Sequence, residues 1–283
     1  MEQGLIAEQV GLARFGRDAE ASAGELGPLA DLVGTWIGSH GWELIAVPKA
    51  MPDGAEAFEL ITAPYVEIVT FVPIGAPVPD RGGNAGNLFL TGLKYEMRIA
   101  DAETNEPLHL ENGMWFYMEG QEQEIARSSA IPHGDCLLAL GTSSTATGPP
   151  TIPVVNATPD GQPVNAPFGY LDEYHAPDAP LDPEDMTASL RKTLEGQDVT
   201  STTTLSVSTA APGGGVLNIP FVTEHANAAA FTSTYWIESV EIEGQTVMQL
   251  QYAQQTNIDF FQKSDGTGLI CWPHVNVNTL SKQ

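Results

Sequence analysis

The sequence predicts an all-β fold, an antiparallel up-and-down β-barrel of about ten strands with a long loop-plus-helix insertion. Three observations predict it. Runs rich in β-branched and aromatic residues recur between short turn signals along most of the chain. Polarity alternates cleanly in places, with Phe231, Ser233 and Tyr235 set against Thr232, Thr234 and Trp236, the period of two that a strand imposes. Third, no helical segments alternate with the strands, so a parallel sheet with crossover helices is excluded. A sandwich would fit the same pattern. Closure into a barrel has the advantage of removing edge strands, and at this size it leaves room for a small ligand.

Residues 1–30 read as an irregular or weakly helical lead-in that ends at Leu26-Gly27-Pro28. Strands follow at Trp42–Val47, Tyr65–Val72, Leu88–Ile99, Gly113–Tyr117, Ile125–Ala130 and Leu137–Leu140, punctuated by turns such as Pro52-Asp53-Gly54. Residues 142–201 break the texture with Ser, Thr, Gly and Pro, and form the insertion. Within it the sequence predicts one helix over 184–195. Pro183 stands near its first turn, Glu184-Asp185 suit the helix N-terminus, and Met186, Leu190 and Leu194 make an apolar stripe. Strands resume at Thr202–Ser208, Gly215–Phe221, Ala228–Glu241, Thr246–Asn257 and Cys271–Leu280. Residues 1–283 are read as a single domain. The insertion is expected outside the wall, covering one end or making the contact of a homodimer, and dispensable to the barrel's folding.

Charge narrows the function classes. The chain carries 36 acidic against 11 basic residues, a formal net charge of −25. Such a surface repels phosphate backbones and anionic lipids, so no nucleic-acid or membrane partner is expected. No apolar stretch is long enough to span a bilayer, and the first residues lack a secretory pattern. Two cysteines, Cys136 and Cys271, make no disulfide framework, so a reduced, cytoplasmic protein is expected.

Three motifs carry the functional reading. Gly34-Thr35-Trp36-Ile37-Gly38 opens the first strand, and Ser39-His40-Gly41 follows it. Thr104-Asn105-Glu106-Pro107-Leu108-His109-Leu110-Glu111-Asn112-Gly113 reads as a hairpin, and Pro273-His274 lies in the last strand. Together these resemble the nitrobindin-like family of lipocalin-type β-barrels, which carry Gly-x-Trp-x-Gly-x-Gly on strand one, Thr-Gly-x-Pro-x-His-x-Glu-x-Gly at a hairpin, and Pro-His on the last strand. The departures are Asn105 in place of a glycine, replacement of the third motif glycine by His40, and the insertion.

The resemblance implies haem as cofactor, with His274 as the axial metal ligand. It also implies a small apolar or diatomic ligand: nitric oxide or a related reactive nitrogen species, with peroxynitrite isomerisation as the enzymatic form. Thr35, His40, Met97 and Trp115 are the other candidate cofactor-binding residues, and a porphyrin would need a flat apolar pocket of the kind Met97, Trp115 and Tyr235 could line. Strand parity opposes this. His274, Asn276 and Asn278 share one face and Val275 and Val277 the other, so His274 faces out if the valines line the interior.

The remaining polar residues read as structural. His109 is expected at a turn, and His133 at a strand end near the barrel mouth. The His133/Cys136 and Cys271/His274 pairs offer zinc-type donors, but residues three apart on a strand face opposite ways. Glu67, Glu96 and Glu111 are read as ion-paired, with Arg98 and Arg127 as partners. Two rival functions are a non-haem carrier of a fatty acid or other apolar molecule, its dry pocket shaped by aromatics including Trp36, Phe71, Tyr95 and Phe231, and a structural barrel filled by its own side chains.

Overall fold

A computed structural model describes residues 25–51, 56–75, 77–82, 87–175 and 181–283, so the lead-in before residue 25 lies outside the described residues. Twelve strands form one antiparallel sheet: β1 (Gly34–Ala50), β2 (Glu56–Pro73), β3 (Val78–Arg81), β4 (Asn87–Asp101), β5 (Pro107–Tyr117), β6 (Ile125–Ala130), β7 (Asp135–Thr147), β8 (Asp198–Ser208), β9 (Gly215–Asn218), β10 (Asn227–Ile242), β11 (Gln245–Gln262) and β12 (Leu269–Lys282). The order β2-β1-β12-β11-β10-β8-β7-β6-β5-β4 is closed by pairing of β2 with β4, which makes a ten-stranded barrel. First and last strands are adjacent, as Leu44 opposite Val275 shows. β3 extends β4, and β9 extends β7, outside the ring. A two-residue turn, Glu243-Gly244, joins β10 to β11, and both residues take the positive φ (52° and 79°) that such a hairpin needs.

The first strand explains its own glycines. Between Gly38 and Gly41 the register against β2 slips, with Gly38 opposite Glu67 and Gly41 opposite Tyr65. Three steps on β1 therefore match two on β2, which is a β-bulge. The third motif glycine is thus present, delayed by one residue as Gly41. A Cβ there would sit 2.1 Å from the Tyr65 ring, and one on Gly38 would sit 2.6 Å from the Asn278 side chain. Both glycines let inward side chains lie flat on the strand. His40 belongs to the bulge and is exposed, its Nδ1 3.1 Å from Ser39 Oγ.

Two apolar cores flank the barrel wall. The inner one is capped by a 3₁₀ helix, Gly27–Leu32, whose buried Leu29 and Leu32 join Trp36, Phe71, Leu93, Trp115, Leu205 and Leu280. Trp36 Nε1 donates to the Leu32 carbonyl (2.7 Å), which locks the indole as the plug of this closed end. The outer core lies against the side wall, where Leu44, Trp236, Trp272, Val275 and Val277 pack on insertion residues Ile152, Leu171, Tyr174, Met186 and Leu190. Polar pins hold the insertion down: Gln251 donates to the Leu190 carbonyl (3.0 Å), and Gln249 and Gln197 exchange amide hydrogen bonds (3.1 Å).

Several expectations are corrected. β7 runs to Thr147 and β8 starts at Asp198, so 142–147 and 198–201 are paired strand and the insertion is shorter than expected. Its helix, α1 (Ala188–Leu194), starts later than 184, because turns occupy the residues after Pro183. The run expected as a strand to Phe221 ends at Asn218, and a short helix, α2 (Pro220–His225), follows, with Pro220 at its first position.

Candidate functional site at the open end of the barrel

The outer core settles the parity of β12. Val275 and Val277 are buried against the insertion, so His274, Asn276, Asn278 and Leu280 face the lumen. The lumen is layered. Beyond the apolar closed end comes a polar belt, and beyond that a mouth where His274 gathers with Glu43, His109, His133 and Asp135.

The belt holds a buried ion pair. Arg127 Nη2 donates to Glu111 Oε1 (2.7 Å), its Nε donates to Tyr95 Oη (3.0 Å), and Gln254 and Ser233 accept from Nη1. Tyr95 donates to Glu111 as well and lies 2.6 Å from Ser129 Oγ. The rings of Tyr95, Trp115, Phe231 and Tyr235 stand 5.3–5.8 Å from the guanidinium carbon. Burial alone would raise the Glu111 carboxyl, but Arg127 and His109 outweigh it and hold it well below the usual carboxylate range. Beside this pair, Tyr252 donates to Glu67 Oε2 (2.6 Å), and Asn278 Nδ2 donates to the same oxygen (2.9 Å).

At the mouth, His274 Nε2 lies 3.5 Å from Glu43 Oε2, too long for a hydrogen bond, and this shielded nitrogen has no hydrogen-bond partner. Asn276 Nδ2 donates to Glu43 (3.3 Å). Burial pushes the Glu43 carboxyl up, yet His274 and Asn276 outweigh it and leave it lowered. Across the lumen, His109 Nε2 stands 3.2 Å from Glu111 Oε2, and its ring meets that of His133 edge-on at 5.0 Å. Asp135 carries a second shielded, unpartnered oxygen; burial and Glu111 raise its pKa, against opposing pulls from His109 and His274.

The structure sorts the sequence candidates. His274 faces the lumen, and His133 lies at the mouth as expected. His109 is a correction: alternation along β5 turns it inward beside Glu111. Thr35 and His40 are placed elsewhere, and neither is brought to His274. Thr35 lies on the outward parity of β1, 3.0 Å from Thr70 Oγ1, and His40 is the exposed bulge residue. Met97 and Trp115 face inward but are only 1% and 0% exposed, packed in the inner core with no free surface for a porphyrin. Glu96 pairs with Arg98 on the exterior (2.6 Å). Cys136 is exposed, and among the described residues no group of three or more His, Cys, Asp or Glu can hold a metal ion. The dry pocket of the carrier reading is replaced by the belt, so the closed end and middle are filled by the chain's own side chains. Glu43 was missed by sequence reading; its signal was a lone carboxylate after the motif glycines, hidden by the bulge.

A haem iron needs an imidazole nitrogen that is shielded and otherwise unused. The Nε2 of His274, turned into the lumen and making no hydrogen bond although Glu43 Oε2 stands 3.5 Å away, is a donor of the kind this requires. The floor beneath it is polar instead of apolar.

The family-model comparison agrees with this architecture. A family model described as "THAP4-like, heme-binding beta-barrel domain" matches residues 25–171, 147 of the 283, and ends before β12. Among solved structures, Rv2717c from M. tuberculosis aligns at 18% identity over 90% of this chain and 94% of that one, with a TM-score of 0.44. No curated protein matches. No helix among the described residues is long and apolar enough to cross a membrane. The family is a haem-binding one, which supports haem as the cofactor, and with more than half of its length matched the chain belongs to the THAP4-like, heme-binding beta-barrel family, the nitrobindin-like group its motifs resemble.

Proposed function

We propose that the chain holds haem at the open end of its barrel through His274 Nε2 and there handles nitric oxide or a related reactive nitrogen species. The observation that carries this reading is a shielded imidazole nitrogen with no hydrogen-bond partner, turned into the lumen of a barrel of a haem-binding family. Haem, when bound, would be held by His274 and would supply an iron centre able to take a small ligand. Glu43, kept ionised and steadied by Asn276, stands 3.5 Å from His274 Nε2 and would turn aside as haem takes that nitrogen. The Arg127–Glu111 belt closes the lumen beneath the mouth, so a ligand enters and leaves from the open end. The low positive charge of the surface and the inward carboxylates favour a neutral ligand over an anionic one.

Hemin titration of the full chain tests the binding. A saturable Soret shift is expected, lost in His274→Ala with the circular dichroism unchanged. No saturable shift, or the same shift in the variant, overturns the reading. Adding nitric oxide to the reduced, loaded protein should move the Soret band again; an unmoved band refutes the nitrogen-oxide part alone.

A further inference from the structure

The belt contains one group of side chains that haem binding does not use. Tyr252 Oη donates to Glu67 Oε2 at 2.6 Å and lies 2.8 Å from Tyr65 Oη. A phenol has one proton, so Tyr252 gives its own to Glu67, while Tyr65 donates to Tyr252 or to the Val277 carbonyl (3.1 Å). All three side chains are fully or almost fully buried. Glu67 Oε1 is shielded and has no partner. The Tyr252 ring stacks on Tyr235 at 5.4 Å, and Tyr235 lies 5.3 Å from Trp115. A phenol paired with a buried carboxylate, at the end of a file of aromatic rings, is an arrangement for moving one electron and one proton together.

We propose that Tyr252 and Glu67 form a proton-coupled redox site, in which a one-electron oxidant of the nitrogen-dioxide or azidyl class removes an electron from Tyr252 while its phenolic proton passes to Glu67 Oε2. The O–H bond of Tyr252 breaks, a Glu67 O–H bond forms, the oxidant becomes its anion, and Tyr252 is left as a neutral tyrosyl. The exchange converts a buried carboxylate with an unpartnered oxygen into a neutral acid, which removes a costly buried charge. Tyr65, 2.8 Å away, can turn its proton from the Val277 carbonyl onto the tyrosyl oxygen.

The other belt phenol is less suited. Tyr95 also donates to a carboxylate, but Glu111 is neutralised by Arg127 at 2.7 Å and is a poor proton acceptor. Glu67 makes no ion pair; burial pushes its carboxyl up to about 7, against Tyr252, Asn278, His109 and Arg127. The groups that face it are Tyr65 from β2, His109 from β5, Arg127 from β6, Tyr235 from β10, Tyr252 from β11 and Asn278 from β12.

The test uses the full chain without haem, so its outcome is separate from that of hemin binding. Azidyl radicals made by pulse radiolysis should leave a long-lived neutral tyrosyl, seen by its visible band and by paramagnetic resonance. The long-lived signal should be lost in Tyr252→Phe and in Glu67→Gln, kept in Tyr170→Phe, and should grow as pH rises through about 7. Should Tyr252→Phe fail to fold, an ortho-fluorinated tyrosine at position 252 keeps the hydroxyl and must add fluorine splitting to the resonance. A signal unchanged in folded Tyr252→Phe or Glu67→Gln, or one without fluorine splitting, overturns the proposal.

Discussion

Gly41 bears a steric load that its sequence neighbourhood disguises. Its missing Cβ leaves the space the Tyr65 ring occupies, and that ring cannot yield because its hydroxyl is held by Tyr252 and Val277. Gly41→Ala should therefore cost about 3 kcal/mol in denaturant unfolding, the upper range for overpacking. His40→Gly, at an exposed bulge position, should change stability by no more than about 0.5 kcal/mol. The bulge was not legible in the sequence, because an extra residue leaves no mark on composition. Only the spacing Gly34, Gly38, Gly41 hints at it. Glu238 makes a second residue-scale case. It is buried under the insertion, Gln249 donates to its Oε2 (2.6 Å), and its Oε1 has no partner. Burial raises its carboxyl from 4.5 to about 7, against the Gln249 hydrogen bond. A folded pKa above the unfolded one gives stability that is full below 4.5 and lost as pH rises through about 7. Glu238→Gln cannot ionise. Its melting temperature should match the wild type near about pH 4 and exceed it near about pH 8, by up to about 3 kcal/mol in stability. A gap that does not change with pH would show that Glu238 ionises as freely folded as unfolded.

Among the elements, β12 shows what alternation does and does not convey. Its two faces were legible, but which faced inward was not, since Val275-x-Val277 is as apolar as any lumen stripe. The outer core supplied the answer: a strand buried on both sides loses the contrast that parity reading needs. The same holds on β10, where Tyr235, Trp236, Ile237 and Glu238 are all buried. That unbroken run was the signal for a covered outer wall. The pairing of sequence neighbours was legible in the short turns, whereas closure rested on the family resemblance, since the strand pattern alone fitted a sandwich as well. The site was legible only in its ligand, His274. Its surroundings depend on cross-barrel electrostatic interactions of His109 with Glu43 and Asp135, which no local pattern encodes. The belt binds the strands in a similar long-range way, with Arg127 on β6 held by Glu111 on β5 and Gln254 on β11. Arg127→Met should cost about 3–5 kcal/mol by stranding the Glu111 charge. Adding Glu111→Leu should recover most of that loss in a double-mutant cycle. If the two losses simply add, the pair is not coupled.

For the whole molecule, the insertion packs with the outer wall into a second apolar core. Its ends are already joined by the sheet: Thr147 lies opposite Ser201, and Gly148 N donates to the Thr200 carbonyl (3.0 Å). Replacing residues 149–196 with a short turn is therefore geometrically mild, and any loss reflects packing and not strand geometry. The deletion uncovers Leu44, Trp236, Phe260, Trp272, Val275 and Val277 along one continuous wall. It also strips Gln251 of its Leu190 partner and exposes the buried Glu238. A continuous apolar patch left exposed in this way drives association. The truncated chain should keep its far-ultraviolet strand signal, lose near-ultraviolet signal from Trp236 and Trp272, bind a hydrophobic dye and self-associate in sedimentation. A monomer with wild-type melting temperature would show that the wall is stable uncovered. The His274 face offers an internal control, since the mouth lies on the opposite side of β12 from the insertion. A truncated chain that still gives the hemin-dependent Soret shift would show that the inner barrel and its open end survive loss of the outer core.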